Sequence, residues 1–300
     1  MHKERVLITG ASGFIGSHLI KYLLSKDYAV IGLSRQSGRT SSHPDLTWVQ
    51  QLDELKTDQI DYVINLAGES IGKGRWTAQR KQQLIQSRVQ TTQNLYRYLE
   101  RRRIAPKCII SGSAMGYYGI DPEEKWQQPC TEDSPPQPIF QSELCQQWEQ
   151  AAQQFPQQNT KIIRLGIVFA AKGGILPQML MPIRMNLIGR IGHGRQPVVW
   201  VHIRDVLRGI EFLMTRQTEA KVFNLTAPGS VPQAQFAELA ARQLKKHPLL
   251  CMPAFVFKCL LGEQSQLLLN GQYVKPQALT EAGFSFEFPT IKEALADVLG

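Results

Sequence analysis

Glycine has no functional group of its own, so three at regular spacing mark a place where bare backbone is needed. Gly10, Gly13 and Gly16 follow the apolar run Arg5–Thr9 and open a stretch, Ser12–Ser25, that carries Phe14, Ile15, Leu19, Leu23 and Leu24 at helical spacing. Between a strand and a helix, such glycines let the chain turn sharply, let backbone approach a pyrophosphate, and let the helix pack closely on the strand. The unpaired N–H groups at the helix start then face the phosphates. In this strand–glycine–helix setting the G-x-x-G-x-x-G spacing predicts a dinucleotide site, with Ser12, Phe14 and Ile15 completing the loop. The choice of dinucleotide falls at the end of a second apolar run, Ala29–Leu33. An NAD site places a carboxylate there for the ribose 2′-hydroxyl, and an NADP site places an arginine for the 2′-phosphate. No Asp or Glu lies between Asp27 and Asp45, while Ser34 and Arg35 stand at the right distance. The expected cofactor is NADP(H).

These residues need a scaffold, and the chain supplies one. Apolar runs at Tyr62–Leu66, Cys108–Ile110 and Ile162–Leu165 alternate with helical patterns over Thr77–Arg103, stopped by Pro106, and Glu143–Phe155. Continuous apolar strands alternating with helices predict an α/β fold: a Rossmann-type, doubly wound parallel sheet covered on both faces. The ligand is then expected outside the carboxyl ends of the strands. Beyond Gly166 the texture changes to short, glycine- and proline-punctuated elements. We expect residues 1–166 to form the dinucleotide domain, with a return segment over 198–226. Within it, Val198–Val201 and Val222–Leu225 are candidate strands of the main sheet. Residues 167–197 and 227–300 are expected to form a smaller, mostly helical substrate domain that includes an amphipathic helix over Gln233–Lys246. No internal repeat is visible.

Composition narrows the setting. The chain has 300 residues, 43% hydrophobic and 20% charged, as expected of a globular protein with a sizeable core. Its net charge of +9 is scattered apart from Arg101, Arg102 and Arg103 at a helix end, where cations complement the helix dipole. No basic–aromatic module accompanies it, so a solvated surface and an anionic small molecule are expected rather than nucleic acid. Five cysteines without a C-x-x-C pair argue against a disulfide framework and against zinc, and for a reducing compartment. No metal site is expected. Met1-His2-Lys3-Glu4-Arg5 runs straight into the first strand, which leads us to expect no signal peptide, and no apolar run approaches membrane-spanning length. A cytoplasmic location with no membrane partner is the expectation.

At this point the chain resembles the extended short-chain dehydrogenase/reductases. The Gly10–Gly16 loop, Asn65-Leu66-Ala67-Gly68, the Ser111–Gly119 serine segment, Arg164–Ile167 and Trp200–Val206 are similar to that superfamily's landmarks. Arg75-Trp76 with Ser87-Arg88-Val89, Gly173–Pro177, Gly192-His193-Gly194, Leu261-Gly262-Glu263, Leu269–Gln272, Lys275-Pro276 and Gly283-Phe284 are similar to epimerase-family, nucleoside-diphosphate-sugar-epimerase-like proteins with their small C-terminal domain. The resemblance spans essentially the whole chain. It implies cofactor contacts by the glycine loop, Ser34, Arg35, Leu66, Ala67, Gly68, Gln83, Arg88, Ser111 and Ile167, although a helix arginine such as Arg88 can equally be a surface ion-pair residue.

The resemblance breaks where the chemistry should be. Active extended enzymes carry Y-x-x-x-K, with a glutamate four residues after the lysine; the tyrosine transfers a proton and the lysine lowers its pKa. With that glutamate aligned to Glu149, Gln141 stands at the tyrosine position and Cys145 at the lysine position. Neither a carboxamide nor a neutral thiol performs that work. Among the alternatives, Ser113 can polarise a carbonyl. Tyr117 or Tyr118 can serve as an acid or simply pack, while His202 reads as a core residue, Cys145 as an inert thiol and Asp205 as a cap or ion-pair residue. The expected function is an NADP(H)-binding oxidoreductase or sugar-nucleotide epimerase of atypical mechanism, acting on a small molecule, for which the superfamily resemblance implies a nucleotide sugar. A non-catalytic NADP(H) sensor or scaffold is the rival.

Overall fold

A computed structural model describes residues 3–121, 123, 126 and 128–300. Seven strands form one sheet: β1 (Arg5–Thr9), β2 (Ala29–Leu33), β3 (Leu46–Val49), β4 (Tyr62–Asn65), β5 (Cys108–Ala114), β6 (Thr160–Leu165) and β7 (Val222–Leu225). They lie in the order β3-β2-β1-β4-β5-β6-β7, and every neighbouring pair is parallel. The order reverses between β1 and β4, which opens the crevice a ligand uses in such sheets.

Alternate residues of the apolar strands feed two cores. On one face Val6, Ile8, Ile64, Ile110 and Phe223 pack against α1 (Phe14–Ser25) and α5 (Ile203–Thr215) through Leu19, Leu23, Val206 and Ile210. On the other, Leu7, Ile31, Val63 and Ile109 pack against α2 (Ala78–Arg101) and α3 (Phe140–Gln153) through Leu95, Leu99 and Ala152. Both faces are covered, which is why the strand sequences are apolar without alternation. The buried Lys161 fits this core because its ammonium caps the end of α5, donating to the carbonyls of Leu213 (2.8 Å) and Arg216.

The later part of the chain builds a separate core from Phe169, Trp200, Phe236 and Ala240. The helices Leu176–Arg184 (α4), Gln233–Gln243 (α6) and Ile291–Leu299 close around it. Thr290 and Glu293 form a reciprocal capping box at the start of the last helix. Among the described residues no helix is long and apolar enough to cross a membrane.

Several elements differ from expectation. The four-residue β3 carries no clear apolar pattern and was not anticipated. β5 runs on to Ala114, so Ser111 and Ser113 lie within a strand, and α3 begins at Phe140, which puts Gln141 in its first turn. Of the expected return segment, Val222–Leu225 joins the sheet beside β6 but Val198–Val201 does not. Instead Trp200–His202 pairs with Ile167–Phe169, and Pro197–Val198 pairs with Val231–Pro232. β7 already occupies the position beside β6, and Pro197 has no N–H to offer a ladder.

Candidate active site

Gly10 has φ +65°, and a Cβ there would stand 2.6 Å from the carbonyl oxygen of Leu66. Only glycine lets β1 turn off this closely beneath the β4 loop. Gly16 packs on the Gly10 carbonyl. Gly13 bonds back to Gly10 (N···O 2.9 Å) and its outer side is open, since a Cβ there would approach nothing but the Gly10 oxygen. No side chain caps α1, so the N–H groups of Phe14, Ile15 and Gly16 have no intrahelical partner. A groove lined by bare backbone and a positive helix end fits a pyrophosphate. Gly173 and Gly174, both at positive φ, lie flat against the Phe14 ring, where a Cβ on either would come within 2.8 Å. The 173–174 turn therefore covers the Phe14 ring and leaves the Gly13 side of the loop open.

At the end of β2, the buried Ser34 donates to Ser12 Oγ (2.9 Å) and accepts from the Gln36 N–H (3.2 Å). This ties the strand end to the glycine loop. The Arg35 side chain is 87% exposed, and its Nη1 is 3.8 Å from Glu69 Oε1. Sequence reasoning missed Glu69, because the carboxylate arrives from the β4 loop rather than from the β2 neighbourhood. Glu69 is itself tied to α2. It forms an ion pair with Arg80, its N–H donates to Ser87 Oγ (3.2 Å), and its carbonyl accepts from Arg88 Nη2 (2.9 Å). The Arg80 hydrogen bond holds the Glu69 carboxyl below its ordinary range.

Asn65 organises the floor. Its Oδ1 accepts from Thr9 Oγ1 (2.7 Å), and its Nδ2 donates to Thr92 Oγ1 (2.8 Å) and Ser111 Oγ (3.2 Å). Ser111, expected to meet cofactor, lies fully buried beneath Asn65 and holds it, while Leu66, Ala67 and Gly68 form the rim above. Arg88 lies against Gly68, whose Cβ would sit 3.2 Å from Arg88 Cζ, and its guanidinium is 5.1 Å from the Trp148 ring centroid. Its hydrogen bonds among the described residues go to the carbonyls of Leu84 and Glu69 and to Ser87 Oγ, none to a carboxylate. Burial lowers its pKa. A largely buried cation hydrogen-bonded only to neutral groups suits an anion. Gln83 is exposed on α2 and accepts from Arg80 (3.3 Å).

At the carboxyl end of β5 the side chains form a closed chain. Ser113 donates to Glu149 Oε1 (2.6 Å), and Arg164 grips both oxygens of Glu149 (Nε and Nη2, 2.8 Å each). Arg164 Nη1 also donates to Tyr118 OH (2.8 Å), which donates to Asn224 Oδ1 (2.6 Å). Burial raises the Tyr118 pKa. Tyr117 lies over Arg164, with Cζ 3.4 Å from its ring centroid. The Ser113 proton is thus committed to Glu149, which leaves its oxygen as an acceptor. A Cβ on Gly116 would stand 3.6 Å from Gln141 Cβ and 3.8 Å from Cys145 Sγ. Gln141 is 3% exposed and its Oε1 has no partner among the described residues. Burial, followed by the Glu149 charge, pushes the Cys145 thiol up to about 12. It remains a thiol at neutral pH.

Ile167 follows β6 and bonds to the Val199 carbonyl (2.8 Å). His202 is buried and caps α5 through Nδ1, which accepts from the Arg204 N–H (3.2 Å). Asp205 accepts from the backbone N–H groups of Glu287 (2.7 Å) and Phe288 (2.9 Å) and from Arg208 (2.8 Å). Neither touches the Ser113 network. Among the described residues no cluster of three His, Cys, Asp or Glu side chains can hold a metal ion.

The model of the NAD dependent epimerase/dehydratase family matches residues 6–226, and that of a C-terminal domain of unknown function (DUF1731) matches residues 252–298. An epimerase family protein of Staphylococcus epidermidis is 36% identical over 302 residues, covering 99% of each chain. A human epimerase family protein solved with NADPH superposes with a TM-score of 0.89 at 30% identity, over 98% of this chain and 99% of that one. UDP-N-acetylglucosamine 4-epimerase from Methanobrevibacter ruminantium, in complex with UDP-N-acetylmuramic acid, shares the fold at a TM-score of 0.78 and 17% identity. That match covers 100% of this chain and 98% of the other.

Proposed function

The chain belongs to the NAD dependent epimerase/dehydratase family, and from that premise we propose that it is an NADP(H)-dependent oxidoreductase or sugar-nucleotide epimerase of atypical mechanism. The observation that carries this reading is the open glycine loop at the α1 N-terminus, with Ser34 and Arg35 at its β2 side. Gly13–Gly16 would hold the phosphates, and Arg35 would meet the 2′-phosphate. Leu66, Ala67 and Gly68 would flank the adenosine, and the half-buried Arg88 would supply a positive charge toward the inner half of the cofactor. A bound nicotinamide supplies or accepts hydride. The substrate, of the nucleotide-sugar class, occupies the cleft between the two units.

The rest falls to the chain's own groups. Tyr117, half-buried at the end of β5, holds a proton at its phenol oxygen for the substrate oxygen that gains or loses hydride on the adjacent carbon. Ser113 accepts from a substrate hydroxyl. Gln141 and Cys145 shape the pocket without exchanging protons. Tyr117→Phe then lowers turnover about a hundredfold with cofactor affinity unchanged. The test is calorimetry with NADPH and NADH, followed by stereospecific hydride exchange from labelled NADPH across a panel of carbonyl compounds and sugar nucleotides. Failure to bind NADPH ends the reading.

The commitment of the Ser113 proton to Glu149, beside Gln141 and Cys145, favours a second reading, a non-catalytic NADP(H) sensor or scaffold. Tight NADPH binding with no exchange across the whole panel selects it.

A further inference from the structure

The end of β2 carries a second arginine whose surroundings differ from those of Arg35. Both the Nε and the Nη2 of Arg39 donate to Gln36 Oε1 (2.8 and 2.6 Å), and its guanidinium stacks on the Trp48 ring, 4.8 Å from the centroid. Trp48 is held in turn. It pairs in register with Gly32, and its ring lies across that residue, where a Cβ would come 2.7 Å from Trp48 Cζ3 and 3.2 Å from the Ala11 methyl. The ring is therefore seated beside the cofactor loop because residue 32 has no side chain. A hydrogen-bonded chain also runs from Ser12 through Ser34 and Gln36 to Arg39. Arg35 stands next to the Glu69 carboxylate, whereas among the described residues Arg39 bonds only to a neutral carboxamide and leaves Nη1 without a partner.

We infer that Arg39, set by Gln36 on the Trp48 platform, is the uncompensated guanidinium of the 2′-phosphate clamp and sets the preference for NADPH together with Arg35. The inference rests on the NADP(H) reading above. A fixed, planar fork meets a phosphate at less entropic cost than a free side chain, and stacking on Trp48 keeps it extended toward the loop. Arg35 contributes only after leaving Glu69.

The test is calorimetric binding of NADPH, NADH and 2′-AMP to the full chain and to Arg39→Ala, Arg39→Lys, Gln36→Ala and Arg35→Ala. Arg39→Ala is expected to weaken NADPH and 2′-AMP about tenfold, the loss of one charge-assisted contact, and to leave NADH unchanged. Its NADPH affinity also becomes less sensitive to salt. Arg39→Lys keeps the charge but not the fork and falls between; Gln36→Ala costs less. If Arg39→Ala binds NADPH like the parent while Arg35→Ala loses it, the Arg39 assignment is overturned and the cofactor reading stands. If Arg39→Ala weakens NADPH and NADH equally, the residue is structural and the assignment is likewise overturned. A parent protein that binds NADH as well as NADPH overturns both.

Discussion

Around Gly10–Gly16 and Ser34–Arg39 polar groups keep open valences, whereas around Ser113 they close on one another. The first region offers helix-end N–H groups and two arginines without a tight carboxylate partner. The second runs from Ser113 through Glu149, Arg164 and Tyr118 to Asn224, each member buried and bonded to the next. Open valences suit a ligand that brings its own charge. A closed network suits rigidity, because its desolvated groups are satisfied only in one arrangement. The two regions thus differ in what they can do: one has groups left over for a ligand, and the other holds the strands β5, β6 and β7 in place.

The largest effect tests the closed end. Glu149→Ala strands Arg164 as a buried cation and frees the Ser113 hydroxyl. A loss of about 3–5 kcal/mol in unfolding free energy is expected in denaturant titration. NADPH affinity of the folded fraction should stay within about twofold of the parent, since the network touches no cofactor contact. Strong loss of affinity with intact stability would erase the division.

The open end breaks differently at neighbouring glycines. Gly10→Ala forces a side chain into positive φ against the Leu66 carbonyl, and about 2–3 kcal/mol of stability should go with the cofactor affinity. Gly13→Ala meets only the Gly10 oxygen at 3.1 Å, so it should cost affinity with little change in Tm. A melting series alongside calorimetry separates the two, and equal behaviour would deny Gly13 its phosphate.

How much of each end was legible in the sequence follows from how local it is. The glycine loop, β1, β2 and Ser34-Arg35 lie within one short stretch of chain, and their periodicity and spacing specify them directly. Glu69 beside Arg35 was not legible, because it comes from another crossover. Nor was the Trp48 platform, because it depends on β3, four residues without a strong pattern, registering against Gly32. At the closed end the sequence placed Gln141 and Cys145 at a spacing of four, and both lie buried on α3 beside Gly116. That Ser113 gives its proton to Glu149, and that Arg164 bridges to Tyr118, depends on the pairing of β5 with β6 and the packing of α3, which no local spacing encodes.

Two buried thiols add a pH signature, Cys145 at the closed end and Cys108 at the start of β5. Burial raises Cys145 to about 12 and Cys108 to about 11, well above the ordinary thiol range. In the unfolded chain these thiols ionise first, so their contribution is fully present below about pH 9 and is lost as pH rises toward the folded values. Stability should fall by up to about 1.4 kcal/mol per pH unit per thiol across that window, and Cys145→Ala should flatten the slope. Iodoacetamide at pH 8 should label the exposed Cys251 and Cys259 and spare Cys108 and Cys145. Labelling of Cys145 in the native protein would mean that the closed end opens.

The smallest effect lies at Ser34, where the open end has its one closed link. Its hydroxyl joins Ser12 on the glycine loop to the Gln36 N–H, and Gln36 in turn holds Arg39. Ser34→Ala removes about 1 kcal/mol of net hydrogen bonding, too little to unfold the chain but enough to release the 34–39 loop. NADPH should weaken about fivefold and NADH by less, because Arg35 and Arg39, proposed to meet the 2′-phosphate, lose their setting while the glycine loop keeps its own. Competition titration with 2′-AMP reads the difference directly. Equal weakening of both dinucleotides would mean that Ser34 serves the pyrophosphate loop alone, and that the arginine loop is positioned by Trp48 without it.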